Sequence, residues 1–182
     1  MNTSVGWLPV LAVTLLAGCA SAPDVQDMAV TSEVIEGRPF PSALVSNIAV
    51  ANVAGGEQTN PMWTSEINAE GFKSALIESL QTAGLLAADP SQGEYQLIAV
   101  ITSVEQPIFG LDLTVTTTVD YTLLDASDGE EIFHKMLTAG YTATVNQSFY
   151  GVERLKIANE GAARENIRSL LDQLRLLELS KE

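Results

Sequence analysis

Fourteen residues, Leu111 to Leu124, alternate almost without a break between apolar and polar side chains, and no other stretch constrains the fold as strongly. Leu111, Leu113, Val115, Val119, Tyr121 and Leu123 fall on one side of an extended chain. Asp112, Thr114, Thr116, Thr118, Asp120 and Thr122 fall on the other, with Thr117 the main exception. Successive side chains of a strand point to opposite faces, so this run demands a sheet with one dry and one wet face. Asp125-Ala126-Ser127-Asp128-Gly129 supplies a turn. Ile132 to Val145 then returns with Phe133, Leu137, Ala139, Tyr141, Ala143 and Val145 in phase. Upstream, Tyr95 to Val104 is apolar on both faces, as a central strand would be, and Leu44 to Val53 reads as a strand stopped by Gly55-Gly56.

Two segments switch to the helical period. Thr64 or Ser65 is placed to cap the first, with Glu66 in its opening turn. Ile67, Phe72, Ala75, Leu76, Ser79, Leu80 and Ala83 recur mostly at three and four, and Gly84 ends the run as a C-cap. The second runs from Gly151 to Leu179, with Leu155, Ala158, Ala162, Ala163, Ile167, Leu170, Leu171, Leu174 and Leu177 toward the core. The order β-α-β-β-β-α predicts an α+β fold: a two-layer sandwich with two helices on one face of a four-stranded mixed sheet. If the first two strands are parallel, their helical crossover is right-handed. Residues 44–182 form this domain, and residues 19–43, rich in Ser, Asp, Glu and Pro, are expected to form a flexible tether.

Charge and rare residues narrow the chemistry. The chain has 23 acidic and 9 basic residues, a net charge of −14. From Cys19 to Tyr150 there are 17 acids and 3 bases, whereas from Gly151 onward there are 6 of each. Such a body repels nucleic acid and anionic headgroups. Cys19 is the only cysteine and His134 the only histidine, which excludes an intrachain disulfide, a thiolate metal site and a two-histidine zinc site. His134 shares its phase with Ile132, Met136 and Thr138 and is expected on the outer sheet face. Gly55-Gly56 lacks the spacing and the lysine of a phosphate loop. Asp125, Asp128, Glu130 and Glu131 cluster at a hairpin tip and read as a solvated turn rather than a calcium site. No catalytic residue, cofactor or metal is therefore expected, and the chain is read as a non-enzyme.

Two places carry large apolar side chains where a loop is normally polar. Gln106-Pro107-Ile108-Phe109-Gly110 joins two strands; if exposed, Ile108 and Phe109 form a docking tip, and if folded back they cap the core. Trp63, just ahead of the first helix, is either a core lid or a contact. In the last helix, Glu160 and Arg164 are spaced to pair, and Asn166 beside the apolar stripe is placed to bond a strand-end carbonyl.

The tetrad Leu16-Ala17-Gly18-Cys19 behind the apolar run Gly6 to Ala17 resembles the lipobox of bacterial lipoproteins. The resemblance implies a signal peptide over residues 1–18, cleavage before Cys19, and acylation (diacylglycerol and palmitate) of Cys19. Ala20 rather than an aspartate follows the cysteine, which in enterobacterial lipoproteins permits sorting to the outer membrane, periplasmic face. The element order is similar to small proteobacterial envelope lipoproteins, including the partner lipoprotein of the lipopolysaccharide-transport pore and the YajG-like lipoproteins. In the pore-partner family a strand-connecting loop is implicated in lipid or pore contact, and Ile108-Phe109 occupies a comparable connection. Thr59-Asn60-Pro61-Met62-Trp63-Thr64-Ser65, Gly151-Val152-Glu153-Arg154-Leu155 and Ala158-Asn159-Glu160 look like uncharacterised proteobacterial lipoproteins. Similar chains sometimes carry the name UDP-N-acetylglucosamine acyltransferase, a left-handed β-helix with hexapeptide repeats and a catalytic histidine; neither pattern is in this sequence. The function expected is a lipid-anchored binding or assembly accessory of the cell envelope, with an envelope protein as partner. The rivals are a carrier of an apolar ligand, needing a cavity near Phe72, Leu76, Phe133 and Tyr141, and an envelope-lipid enzyme.

Overall fold

The computed structural model of the chain describes residues 20–32, 37–59, 65–107 and 109–179. Its elements are α1 (Val25–Met28), β1 (Ile48–Gly55), α2 (Ala69–Thr82), β2 (Tyr95–Glu105), β3 (Leu113–Asp125), β4 (Glu131–Ala143) and α3 (Gly151–Leu174). The strands form an open sheet in the order β1-β2-β3-β4, with β1 parallel to β2 and the other pairs antiparallel. This is the α+β arrangement that the alternation and the two helical stripes predict.

Sequence periodicity explains the layering. Along β3, Leu113, Val115, Thr117, Val119, Tyr121 and Leu123 are buried while Thr114, Thr116, Thr118 and Thr122 turn outward. Phe72, Leu76 and Leu80 of α2 and Ile167, Leu170, Leu171 and Leu174 of α3 close over Leu97, Ala99, Val119, Tyr121 and Leu123. Burying one such side chain stabilises by about 1.5–3 kcal/mol. Gly161 permits close approach: a Cβ there would lie 2.2 Å from the ring of Tyr141. Gly55 and Gly56, at φ +81° and +70°, end β1 where a Cβ would meet main-chain oxygens of Ile101 and Ile67 at 2.1 and 2.3 Å.

Several local expectations change. Helix α2 begins at Ala69, not after Thr64 or Ser65: Asn68 is its N-cap, accepting from Gly71 N–H at 2.8 Å. At its other end Gly84 follows the cap at φ +70°, and the N–H groups of Leu85 and Gly84 return to the carbonyls of Leu80 and Gln81. Helix α3 stops at Leu174 rather than Leu179. Strand β2 is not buried on both faces, because both helices lie on one side; Val100 is exposed on the other.

The largest departure concerns residues 19–43. Their described part is folded onto the domain instead of forming a tether. Met28, Ala29 and Val30 are buried, as are Ala43 and Leu44. Asp24 N–H donates to Glu160 at 2.8 Å, Lys156 donates to Asp24 at 2.7 Å, Arg164 donates to the carbonyl of Asp27, and Val30 N–H donates to Ser79 Oγ at 2.9 Å. Further on, Arg175 stacks over the Phe40 ring, 4.6 Å from its centroid. Three apolar residues at the end of a single helical turn suffice to enter the core, although the surrounding composition is that of a linker.

Candidate functional site

Topology brings five element ends together. The C-terminal ends of β1, β2 and β4 and the N-termini of α2 and α3 lie at one end of the sandwich, because β1 and β2 are parallel and each helix starts where a strand ends. At this end the β2–β3 connection meets the first turn of α3: Pro107, Phe109, Gly110 and Leu113 line a shallow hollow together with Gly151, Val152, Arg154 and Leu155.

Large apolar side chains stand exposed at this end. Phe109 is 88% exposed, Leu111 78%, Phe149 87% and Tyr150 77%, with Val152 and Val145 partly exposed beside them. The rings of Phe149 and Tyr150 meet edge-to-face, 6.4 Å between centroids. Of the two readings of Phe109, the exposed one is observed. Ile108, Trp63 and Cys19 lie outside the described residues. Leu111, Phe149 and Tyr150 do not stand out in the sequence as contact residues. Leu111 continues the apolar phase of β3 yet falls two residues before the strand begins, and the two adjacent aromatic side chains of Phe149-Tyr150-Gly151 are the signal the sequence holds for the others.

The apolar tip stands on a fastened base. Arg154, itself buried, donates to the carbonyls of Ser148 and Phe149 at 2.9 and 2.8 Å, holding the β4–α3 turn. Val145 N–H donates to Asp112 at 3.3 Å, tying that turn to the start of β3. Gln106 Nε2 reaches the carbonyl of Ser65 (3.0 Å), Glu66 (2.8 Å) and Asn159 Oδ1 (3.1 Å), while Asn159 Nδ2 donates to the carbonyls of Ser65 and Leu155. These bonds root the connection in α3 and in the approach to α2.

Other polar groups inside the domain serve main-chain partners. Asn166 Nδ2 donates to the carbonyls of Thr117 and Leu137, both at 2.9 Å, and its Oδ1 accepts from the Tyr121 hydroxyl at 2.9 Å. These carbonyls belong to mid-strand residues, not to a strand end. Burial pushes the Tyr121 phenol well above its usual range. Glu160 and Arg164 turn to Asp24 and Asp27 of the N-terminal segment instead of to each other. Burial raises the Glu160 carboxyl above the ordinary glutamate value, with the Asp24 N–H and the Lys156 ammonium pulling it partly back. Asp24, Asp27 and Glu160 bring carboxylate oxygens within 4.8 Å of one another, and Lys156 already stands beside two of them. His134 lies on the outer face, 2.8 Å from Asp120. Phe72 and Leu76 have no exposed surface and belong to the packed core, while Phe133 and Tyr141 are half-buried at its margin. Among the described residues no helix is long and apolar enough to cross a membrane.

No family model matches the chain, and no curated protein matches it in sequence. Solved structures do match in fold. A Xanthomonas campestris protein of the DUF330 family aligns with a TM-score of 0.55 at 15% identity, over 76% of this chain and 90% of its own. A chain from Caulobacter crescentus described as a lipoprotein aligns at 0.50 and 19% identity, over 74% and 91%. The PelC dodecamer from Paraburkholderia phytofirmans aligns at 0.50 and 18% identity, over 77% and 96%. At these identities the likeness is one of fold, and that fold is an open sheet with helices on one face, not the β-helix that the acyltransferase name would require.

Proposed function

We propose that the chain is a non-enzymatic accessory of the cell envelope, joined to the periplasmic face of the outer membrane through an acylated Cys19, and that it works by contact instead of by turnover or carriage. The observation that carries this reading is the apolar tip: Phe109, Leu111, Phe149 and Tyr150 stand exposed on a base held by Arg154, Gln106 and Asn159. Exposed apolar groups on a rigid scaffold mark a contact surface. The lipobox resemblance at Cys19 and the lipoprotein among the structural neighbours support the anchor. Carriage has less to support it, since Phe72 and Leu76 are packed against neighbours with no exposed surface. Buried polar residues such as Asn159 and Asn166 are engaged by main-chain groups, which leaves little for catalysis.

Two measurements test it. Cys19→Ser is expected to abolish lipid-bearing mass and membrane fractionation; a lipid-bearing, membrane-bound Cys19→Ser protein would overturn the anchor. A photocrosslinking side chain at position 109 or 149 is expected to capture an envelope component in intact cells, whereas one at position 116, on the Thr-rich face, is not. Equal capture from both faces would remove the tip from the proposal.

A further inference from the structure

We infer that the apolar tip is a membrane-seating surface: the anchor and the exposed Phe109, Leu111, Phe149, Tyr150 and Val152 share one end of the molecule, and the occupant of the tip is a zwitterionic lipid bilayer. This deepens the proposed function and rests on acylation of Cys19.

The path of the N-terminal segment carries the inference. Asp24 is held by Lys156 and Glu160, Asp27 by Arg164, and Phe40 by Arg175. The segment therefore runs alongside α3 in the same direction, from its first turns toward its last, and it enters from the end where α3 begins. That end is the tip. Lys156 and Glu160 lie five and nine residues beyond Gly151, about 8 and 14 Å along the helix axis. Cys19 is five residues ahead of Asp24, so its Cα lies within about 18 Å of the Asp24 Cα even if the chain is fully extended. Ala20, one residue after the anchor, is itself buried. A lipid attached at such a short distance holds the bilayer near the first turns of α3, where the exposed aromatic side chains stand. Aromatic rings are suited to the boundary between headgroups and acyl chains.

Charge selects the kind of bilayer. Exposed carboxylates flank the tip, Asp112 and Glu153 among them, whereas Arg154 is buried beneath it, its guanidinium given to Ser148 and Phe149 carbonyls. A rim of carboxylates disfavours anionic headgroups and leaves insertion to the apolar side chains.

The test uses the full-length acylated protein in vesicles of dioleoylphosphatidylcholine. Because an acylated Cys19 has no free thiol, Phe109→Cys, Phe149→Cys and Thr116→Cys each present one site for a nitroxide label. The expected result is that labels at 109 and 149 become more accessible to oxygen than to a water-soluble nickel complex, while the label at 116 keeps the opposite preference. Replacing a third of the lipid with phosphatidylglycerol should shift the tip labels back toward water. Vesicle-bound protein with all three labels in water would overturn the membrane-seating inference and leave the anchor standing. Aqueous tip labels together with photocrosslinks from position 109 to a protein in intact envelopes would overturn it in the same way. Wild-type protein that takes up label or fails to float with vesicles would overturn the anchor, and this inference with it.

Discussion

Thr117 breaks the apolar phase of β3, and its side chain is fully buried with no hydrogen-bond partner for Oγ1 among the described residues. A buried hydroxyl without a partner costs its desolvation. Thr117→Val keeps the shape and removes that cost, so stability should rise by about 1 kcal/mol, read as a higher denaturant midpoint at unchanged slope. Asn166 is the opposite case, with both polar atoms engaged. Asn166→Ala strands the Tyr121 hydroxyl and opens a gap between α3 and the sheet, and should cost about 2–3 kcal/mol in the same assay. Glu160 gives a pH signature. Its raised carboxyl binds its proton more tightly in the folded protein than in the unfolded chain. Its contribution is therefore most favourable below the ordinary glutamate range and is lost as pH rises through the folded value. Relative to Glu160→Gln, the wild type should lose stability as pH rises through and above the ordinary glutamate range; a gap that stays constant with pH would refute this. The sequence marks Thr117 and Asn166 as polar residues in apolar stripes. It does not disclose their partners, which depend on how closely α3 sits over the sheet.

At the scale of elements, periodicity carries most of the information. The two-residue period of β3 and the helical stripe of α3 decide which faces meet, and the structure places Leu170 at zero exposure with Thr116 on the outer face. Leu170→Ala should cost about 2–5 kcal/mol, as buried leucines do, whereas Thr116→Ala should stay within about 0.5 kcal/mol. Comparable effects at the two positions would mean the facing is wrong. Boundaries are less legible for a physical reason. Ser65, Asn68 and Thr64 are all good caps by side-chain chemistry, and burial of Ile67 ahead of the helix, together with the Asn68–Gly71 bond, selects the last possible start. The apolar outer residues of β2 mislead similarly: Ile98 and Val100 are shielded by neighbouring strands or left exposed, not covered by a second layer. The tip is half legible. Phe109 stands out as an apolar residue in a connection, but Phe149 and Tyr150 join it only because the sheet returns β4 to the same end.

For the whole molecule, the docked N-terminal segment changes how the domain relates to its anchor. A flexible chain over residues 19–43 would have an end-to-end distance of roughly 25 Å and let the body rotate freely. The observed segment instead crosses both helices, with the Met28 side chain in the core, its N–H bonded to the Asp24 carbonyl, and the N–H groups of Ala29 and Val30 bonded to the Val25 carbonyl and Ser79 Oγ. Ser79 in turn donates to the Ala75 carbonyl at 2.6 Å, so this hydroxyl links α2 to the segment. Amide hydrogen exchange distinguishes the two arrangements. The Met28, Ala29 and Val30 amides should exchange far more slowly than an unstructured chain, and Ser79→Ala should speed Val30 by removing its acceptor. Met28→Asp, which puts a carboxylate into an apolar site, should release the three amides together while the amides of β3, paired on both sides, stay protected. Exchange at the unprotected rate throughout 24–30 in the wild type would restore the tether and loosen the orientation of the tip. Protection lost in β3 along with the segment would instead make residues 20–30 integral to the folding of the whole domain.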